Sequence, residues 1–243
     1  MKGYSNNIIV ALMGPTGCGK DTLRNALVEC GMQRIVTYTT RAPRKGERDG
    51  VDYHFIDEEA FRRRIADGSF VEYRAYEGSN GICYFGSMPP DEGGGVYVIV
   101  LDDEGIKKYK DAYGDRCLSV YMYVCPDSIR KERAFVRNGE DAAAFEKEWA
   151  KRDADDKRRF TYGFVDAYAD VVVDVKADTG VGDEVLTVIK ALVKREAAMR
   201  IQTFVGAPLD GTTKNTHYNV KTLESVLICS RNALLRYETN SAG

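Results

Sequence analysis

Gly14, Gly17 and Gly19 lead into Lys20 within GPTGCGKDT, residues 14–22. This is the spacing with which a glycine-rich loop wraps a phosphate. Such a loop works because the backbone N–H groups of Gly17 to Lys20 converge on one anion. The partial positive charge of a helix N-terminus adds to them, and Lys20 supplies a point charge that can follow the phosphate. The next position of the pattern asks for a metal-facing hydroxyl, and here it holds Asp21. Thr22, one place on, can present that hydroxyl to magnesium. Asp21 either faces solvent at the helix start, where acids are favoured, or holds the ion through water, and the helix-start preference favours the first. The phosphate-binding set is therefore Gly14, Pro15, Thr16, Gly17, Cys18, Gly19, Lys20, Asp21 and Thr22, with Thr22 as the metal ligand.

The loop needs a strand before it and a helix after it. NNIIVALM, residues 6–13, predicts a buried strand, and KDTLRNALVEC predicts a helix with Leu23, Ala26, Leu27 and Cys30 on one face. A second anion-binding possibility follows in TYTTRAPRKGERDGVDYHF, residues 37–55, where Arg41, Arg44, Lys45 and Arg48 lie among turn residues. Arg41 and Arg44 can grip another phosphate by forked hydrogen bonds while Tyr53 donates one more. Taken alone, a solvated basic loop explains such a run equally well.

Together these segments resemble the guanylate kinase family. The resemblance rests on GPTGCGKDTL, on TTRAPRKGERDGVDYHF, on FVEY (residues 70–73), on YFGS (84–87) and on VIVLDDEG (98–105), in family order and near family spacing, over about residues 7–196. It implies an α/β fold: a P-loop nucleoside-triphosphate-hydrolase-like parallel sheet core, a small mixed β insert that binds the nucleoside monophosphate, and a helical lid. VYVIVL (96–101), CLSVYMYV (117–124) and ADVVVDV (169–175) alternate with helical stretches as a parallel sheet with crossovers requires. The implied organisation is a catalytic unit over residues 1–196, with the GMP-binding region at about 36–95 and the lid at about 126–160, followed by an extension at 197–243.

The resemblance also assigns roles. Arg41, Arg44 and Tyr53 match positions that hold the GMP phosphate. Thr37, Glu72 and Asp102 match those that read the guanine edge, and Ser87 matches a hydroxyl near the same nucleotide. A carboxylate suits guanine because it accepts from N1–H and the 2-amino group together, a donor pair that adenine lacks. The pattern departs from the family in four places: Asp21, Phe85 where a second tyrosine is usual, Val100 where an aspartate is frequent, and a loop some four residues longer before YFGS. These bear on the choice of substrate more than on the type of reaction.

The implied reaction is Mg2+-dependent transfer of the γ-phosphoryl group of ATP to GMP or dGMP. In the lid, Arg133 and Arg137 stand one helical turn apart, and Arg152 is a third arm; with Lys20 they can neutralise charge on the transferred group. A helix this rich in both charges is also what a solvated face looks like. A kinase for another monophosphate or for ribose 1,5-bisphosphate is the near alternative. A non-catalytic binding module of the same fold is the distant one, disfavoured by the intact Lys20.

Composition narrows the remainder. The chain has 243 residues, 44% hydrophobic, with a net charge of −2, which supports a real core and gives no basic footprint for nucleic acid. No apolar run approaches the roughly 20 residues that span a bilayer, and the phosphate loop follows the start too closely for a signal region, so the cytoplasm is the expected compartment. Six scattered cysteines and two histidines lack metal-ligand spacing and are expected as reduced thiols and ordinary side chains. In the extension, KTLESVLICSRNALLRY, residues 221–237, predicts an amphipathic helix that docks on its own domain or joins a homo-oligomer.

Overall fold

Six consecutive apolar residues, Ile8–Met13, form β1, and all six are buried. A strand buried on both faces belongs at the centre of a sheet covered by helices on either side, and the computed structural model places it there. The structure describes residues 7–192 apart from residues 45, 79–80, 92–93, 125, 139–141, 176–183, 185–186 and 189. The predicted helix at 221–237, with the rest of the extension, lies outside the described residues, as do Cys125 and Cys229.

After β1 come α1 (Lys20–Glu29), β2 (Gln33–Arg34), β3 (Tyr38–Thr39), β4 (His54–Phe55), α2 (Glu58–Ala66), β5 (Glu72–Gly78) and β6 (Gly81–Ser87). Then follow β7 (Val96–Val100), α3 (Asp103–Tyr113), β8 (Cys117–Tyr123), α4 (Asp127–Asn138), α5 (Ala142–Arg159), α6 (Tyr162–Tyr168) and β9 (Val171–Asp174). The central sheet has the order β2-β7-β1-β8-β9, with every pairing parallel. The second sheet has the order β4-β3-β6-β5 and is mixed, β3 running parallel to β4 but antiparallel to β6. The fold is thus an α/β parallel core with a mixed β insert and a pair of lid helices, as the sequence implies.

Alternation along β1 divides the core into two layers. Ile8, Val10 and Leu12 pack with Leu23, Ala26 and Leu27 of α1. Ile9, Ala11 and Met13 pack on the other side with Ile106, Tyr109 and Tyr113 of α3. Leu23, Ala26 and Leu27 recur at helical spacing, which is why the segment after the loop forms a helix that can cover a sheet.

The small sheet also has two distinct faces. Pairing of β5 with β6 sets Glu72 opposite Ser87, Arg74 opposite Phe85 and Tyr76 opposite Cys83, so these six side chains share one face. The other face is closed by α2: Phe61, fully buried, lies 4.6 Å from Phe70 and 5.5 Å from Tyr84 between ring centroids. The N-terminus of α2 is capped by Asp57, whose carboxylate accepts from the Ala60 N–H at 2.6 Å. This aromatic layer holds the functional face rigid from behind. Phe61→Ala should therefore cost about 3–5 kcal/mol, measured as a lower urea midpoint.

Candidate active site

The phosphate loop is built where β1 meets α1. Gly14, Gly17 and Gly19 all take positive φ, 146°, 81° and 94°. At Gly17 the requirement is steric as well, since a Cβ there would lie 2.3 Å from the carbonyl oxygen of Arg130. Lys20 turns back over the loop and donates to the carbonyls of Gly14 at 2.7 Å and Pro15 at 2.9 Å. Cys18 is fully buried beneath it. Asp21 and Thr22 are exposed in the first turn of α1, and Asp21 pairs with Arg24 at 2.6 Å on the outer side of that helix.

The lid helices clasp this loop. Arg130, only 2% exposed, donates to the carbonyl of Thr16 at 3.0 Å and to Asp153 at 2.6 Å and Asp127 at 3.0 Å. Its guanidinium lies 5.5 Å from the Trp149 ring centroid. From the same helix as Asp153, Asp156 accepts from the backbone N–H of Thr16 at 2.6 Å. The ion pairs hold the carboxyl groups of Asp127 and Asp153 ionised below their ordinary range: for Asp127 the Arg130 bond is the largest cause, while for Asp153 burial opposes the shift and the Lys157 and Arg130 bonds overcome it.

On the small sheet, Arg41 forks both Nη2 contacts onto the two carboxylate oxygens of Glu47, each at 2.9 Å, and its guanidinium lies over the Tyr53 ring at 5.3 Å. Tyr53 in turn meets Phe85 edge-on at 6.0 Å, and Phe85 meets Tyr76 at 5.6 Å. Arg44 is exposed, with its backbone N–H donating to Glu47 at 2.7 Å. Thr37 accepts through its carbonyl from the His54 N–H at 2.9 Å and is half-buried at the head of β3.

Two carboxyl groups sit deeper, and their surroundings drive them in opposite directions. Glu72 is 8% exposed and accepts from the Ser87 hydroxyl at 2.6 Å; Tyr109 donates to Ser87 at 3.0 Å. Burial pushes the Glu72 pKa up to about 7, against the Ser87 hydrogen bond, which lowers it. Asp102 caps α3 by accepting from the Gly105 N–H at 2.8 Å, and also accepts from Tyr76 at 2.6 Å and twice from Arg74 at 3.1 Å. Burial works to raise its pKa, but the bonds from Tyr76, Gly105 and Arg74 outweigh it, and Asp102 stays ionised.

The guanylate kinase family model matches residues 5–88 of this chain. A guanylate kinase of Clostridium perfringens (strain SM101 / Type A) is 34% identical over 151 residues, covering 57% of this chain and 66% of the relative. One of Enterococcus faecalis is 32% identical over 154 residues, covering 59% of this chain and 72% of the relative. The chain belongs to the guanylate kinase family. A guanylate kinase of Chlorobium chlorochromatii is 25% identical over 182 residues, covering 72% of this chain and 90% of the relative. Against the Clostridium perfringens relatives the matched span is 66% or 64% of their length, just under two thirds. The solved guanylate kinase of Anaplasma phagocytophilum aligns with 84% of this chain and 89% of its own at 20% identity and a TM-score of 0.49.

In this guanylate kinase family member, the sequence-expected residues fall into three groups. Arg41, Tyr53 and Phe85 form one contiguous aromatic and cationic patch, and Glu72, Ser87 and Asp102 lie along the same sheet and its junction with α3. Residues 14–22 form the loop described above. Arg133 lies in α4, while Arg152 pairs with Glu148 at 2.7 Å along the exposed side of α5; the side chain of Arg137 lies outside the described residues. Sequence reasoning missed Arg74 and Tyr76, although their period-two spacing from Glu72 in a strand puts all three on one face. It also missed Arg130, Asp153, Asp156 and Arg159, which nothing in a uniformly charged segment distinguishes from solvated neighbours. Among the described residues no cluster of three or more Asp, Glu, His or Cys could hold a metal by itself. The exposed Asp21 and Thr22 beside Lys20 do offer the carboxylate and hydroxyl oxygens a hard divalent ion takes when phosphates complete its shell.

The Glu72 shift has a measurable consequence. A carboxyl group whose folded pKa is raised keeps a proton that the unfolded chain has lost, so its contribution to stability is full at low pH and is lost as pH rises from about 4.5 through about 7. Glu72→Gln removes that titration. The melting temperature of the variant relative to the parent should therefore increase across this pH range in differential scanning calorimetry, and a difference independent of pH would contradict the shift.

Proposed function

We propose that this guanylate kinase family member transfers the γ-phosphoryl group of ATP to GMP or dGMP, giving ADP and the nucleoside diphosphate. The observation that carries the reading is the buried Glu72 carboxyl group, held on Ser87 and sharing a sheet with Arg41 and Tyr53, in a chain whose β1–α1 turn is a glycine–lysine phosphate loop. Glu72 accepts from N1–H and the 2-amino group of guanine, with Ser87 and Thr37 beside it. Adenine offers no such donor pair, so its monophosphate leaves the buried carboxyl group with Ser87 as its partner and nothing from the base, which is the costlier case.

The acceptor phosphate displaces Glu47 from Arg41, exchanging one forked acceptor for another, while Arg44 and the Tyr53 hydroxyl complete the grip. At the other end, Lys20 leaves the carbonyls of Gly14 and Pro15 to follow the β- and γ-phosphates of ATP, which the amides from Gly17 to Lys20 bind. Thr22, together with the nucleotide phosphates, would hold Mg2+, which would supply positive charge against the phosphate oxygens, while Asp21 faces outward on Arg24. An oxygen of the GMP phosphate attacks the γ-phosphorus in line. The new P–O bond forms as the bond to the β–γ bridging oxygen breaks, and ADP leaves with that electron pair. The acceptor is already anionic near neutral pH, so the chain needs no side-chain nucleophile and no strong base. Arg133, Arg137 and Arg152 of the lid are the residues proposed to neutralise charge on the group in transit and to exclude water as the lid closes.

A coupled assay of ATP with GMP, dGMP, AMP, UMP and dTMP tests this reading. Turnover is expected with GMP or dGMP only, and equal use of AMP would overturn the assignment of Glu72. Lys20→Ala should lower kcat by at least about 100-fold with the melting temperature unchanged, whereas a fully active variant would remove the phosphate loop from the mechanism.

A further inference from the structure

Asp21 stands where the phosphate-loop pattern has a hydroxyl, directly after Lys20, so the first turn of α1 carries a negative charge beside the positive one on which the loop relies. By themselves these two side chains sum to zero, at a place that has to receive a strongly anionic group. Arg24, one turn further along α1, changes that sum. Its Nη1 donates to Asp21 Oδ1 at 2.6 Å, while Nε at 3.2 Å and Nη2 at 2.9 Å both donate to the side-chain oxygen of Asn25. Asn25 thus holds the guanidinium with one arm turned to Asp21, and the Arg24 side chain is 13% exposed against 59% for Asp21. Arg34 of β2 lies close enough for the Arg24 charge to act on it: burial and then Arg24 lower its pKa, while Asp52 and Asp21 work to raise it. A guanidinium set beside another needs a counter-charge, and Asp21 supplies one. Ion pairs spaced this way on an exposed helix surface add little stability, so their effect on the local charge outweighs their effect on the fold.

We infer that Arg24 neutralises Asp21, and that this pairing is what lets a phosphate loop with a carboxylate in the hydroxyl position still take a nucleoside triphosphate. The inference rests on the proposed function, in which ATP is the ligand of the loop. With Arg24 in place, positions 20, 21 and 24 sum to one positive charge, the same balance that Lys20 alone would give beside a serine or threonine. Without Arg24, the Asp21 carboxylate cancels Lys20 and opposes the incoming phosphates. Arg24 is a positioning residue here: it acts through Asp21, by holding a positive charge on the carboxylate, and not by contact with the nucleotide.

The test is a double-mutant cycle. The calorimetric Kd of ATP, in EDTA so that the phosphates alone are read, and the Kd of GMP are measured for the parent chain, Arg24→Gln, Asp21→Asn and the double variant. Arg24→Gln should weaken ATP by about tenfold and leave GMP where it was, Asp21→Asn should tighten ATP, and the double variant should bind ATP within about threefold of the parent. An equal loss in Arg24→Gln and in the double variant would mean that Arg24 acts on the nucleotide or on the fold without Asp21, and overturns the inference. So does weaker ATP binding in Asp21→Asn, which would make the carboxylate a contributor to the loop, and so does a parallel loss of GMP in Arg24→Gln, the mark of a structural role alone. The expected order of ATP affinities without phosphoryl transfer to GMP would overturn the proposed catalysis and leave the inference standing. A parent chain that binds no ATP would overturn both.

Discussion

The Asp102 carboxylate is the point on which the arrangement of this molecule turns. It caps α3 on the central sheet through the Gly105 N–H, takes a two-pronged contact from Arg74 and a short one from Tyr76 on the small sheet, and lies within 3.9 Å of Arg159 at the end of the lid helix α5. Arg159 also rides over the Tyr76 ring at 5.6 Å. Core, insert and lid thus meet around one half-buried negative charge. Burying a charge costs several kcal/mol unless its lone pairs are met, and here they are met by donors from separate elements, so any movement of one element relative to another leaves that cost exposed.

A buried charge, Arg130, performs the corresponding task at the phosphate loop. Arg130 reaches the carbonyl of Thr16 while its remaining donors satisfy Asp127 and Asp153, and its backbone approaches Gly17 so closely that only glycine fits. The interaction joins α4 and α5 to the loop as one unit. Asp156 then offers its carboxylate to the Thr16 N–H. An acidic group at a loop built for anions satisfies a backbone donor that would otherwise face the cleft, and Lys20 satisfies its own charge on the carbonyls of Gly14 and Pro15. Loop and lid therefore have internal partners for the groups that the proposed nucleotide would engage, and Arg41 with Glu47 repeats the pattern at the other end. Ligand binding becomes an exchange of partners, which avoids leaving strong donors unsatisfied in either state.

Much of this was legible in the sequence, for reasons that differ by element. β1 and α1 could be read because burial on two faces and on one face leaves a period that composition cannot hide, and the loop because glycine and lysine spacing is itself the mechanism. Arg41, Tyr53, Glu72 and Ser87 were legible as a family pattern. That Glu72 is buried was not, since a lone glutamate in a strand reads as solvent-facing until the register with Ser87 is known. The partners of Asp102 escape a sequence reading because they sit 28 and 26 residues away on a strand, and no local signal ties them to it. Arg130 escaped for a simpler reason: in a helix with alternating charges, which arginine is buried is decided by what packs against it, here Trp149 and the loop backbone, and no local signal encodes that.

The two pocket carboxyl groups show why register matters more than residue type. The Asp102 charge adds to the cost of ionising Glu72, yet Asp102 stays ionised and burial pushes the Glu72 pKa up to about 7. The difference is the number of donors each has been given. A buried acid held only by Ser87 gains a great deal, because a base that brings two N–H groups supplies the stabilisation its burial removed, and a base that brings none does not. Discrimination is therefore strongest where a protein leaves a buried carboxyl group short of partners, and under the proposed function that place is Glu72.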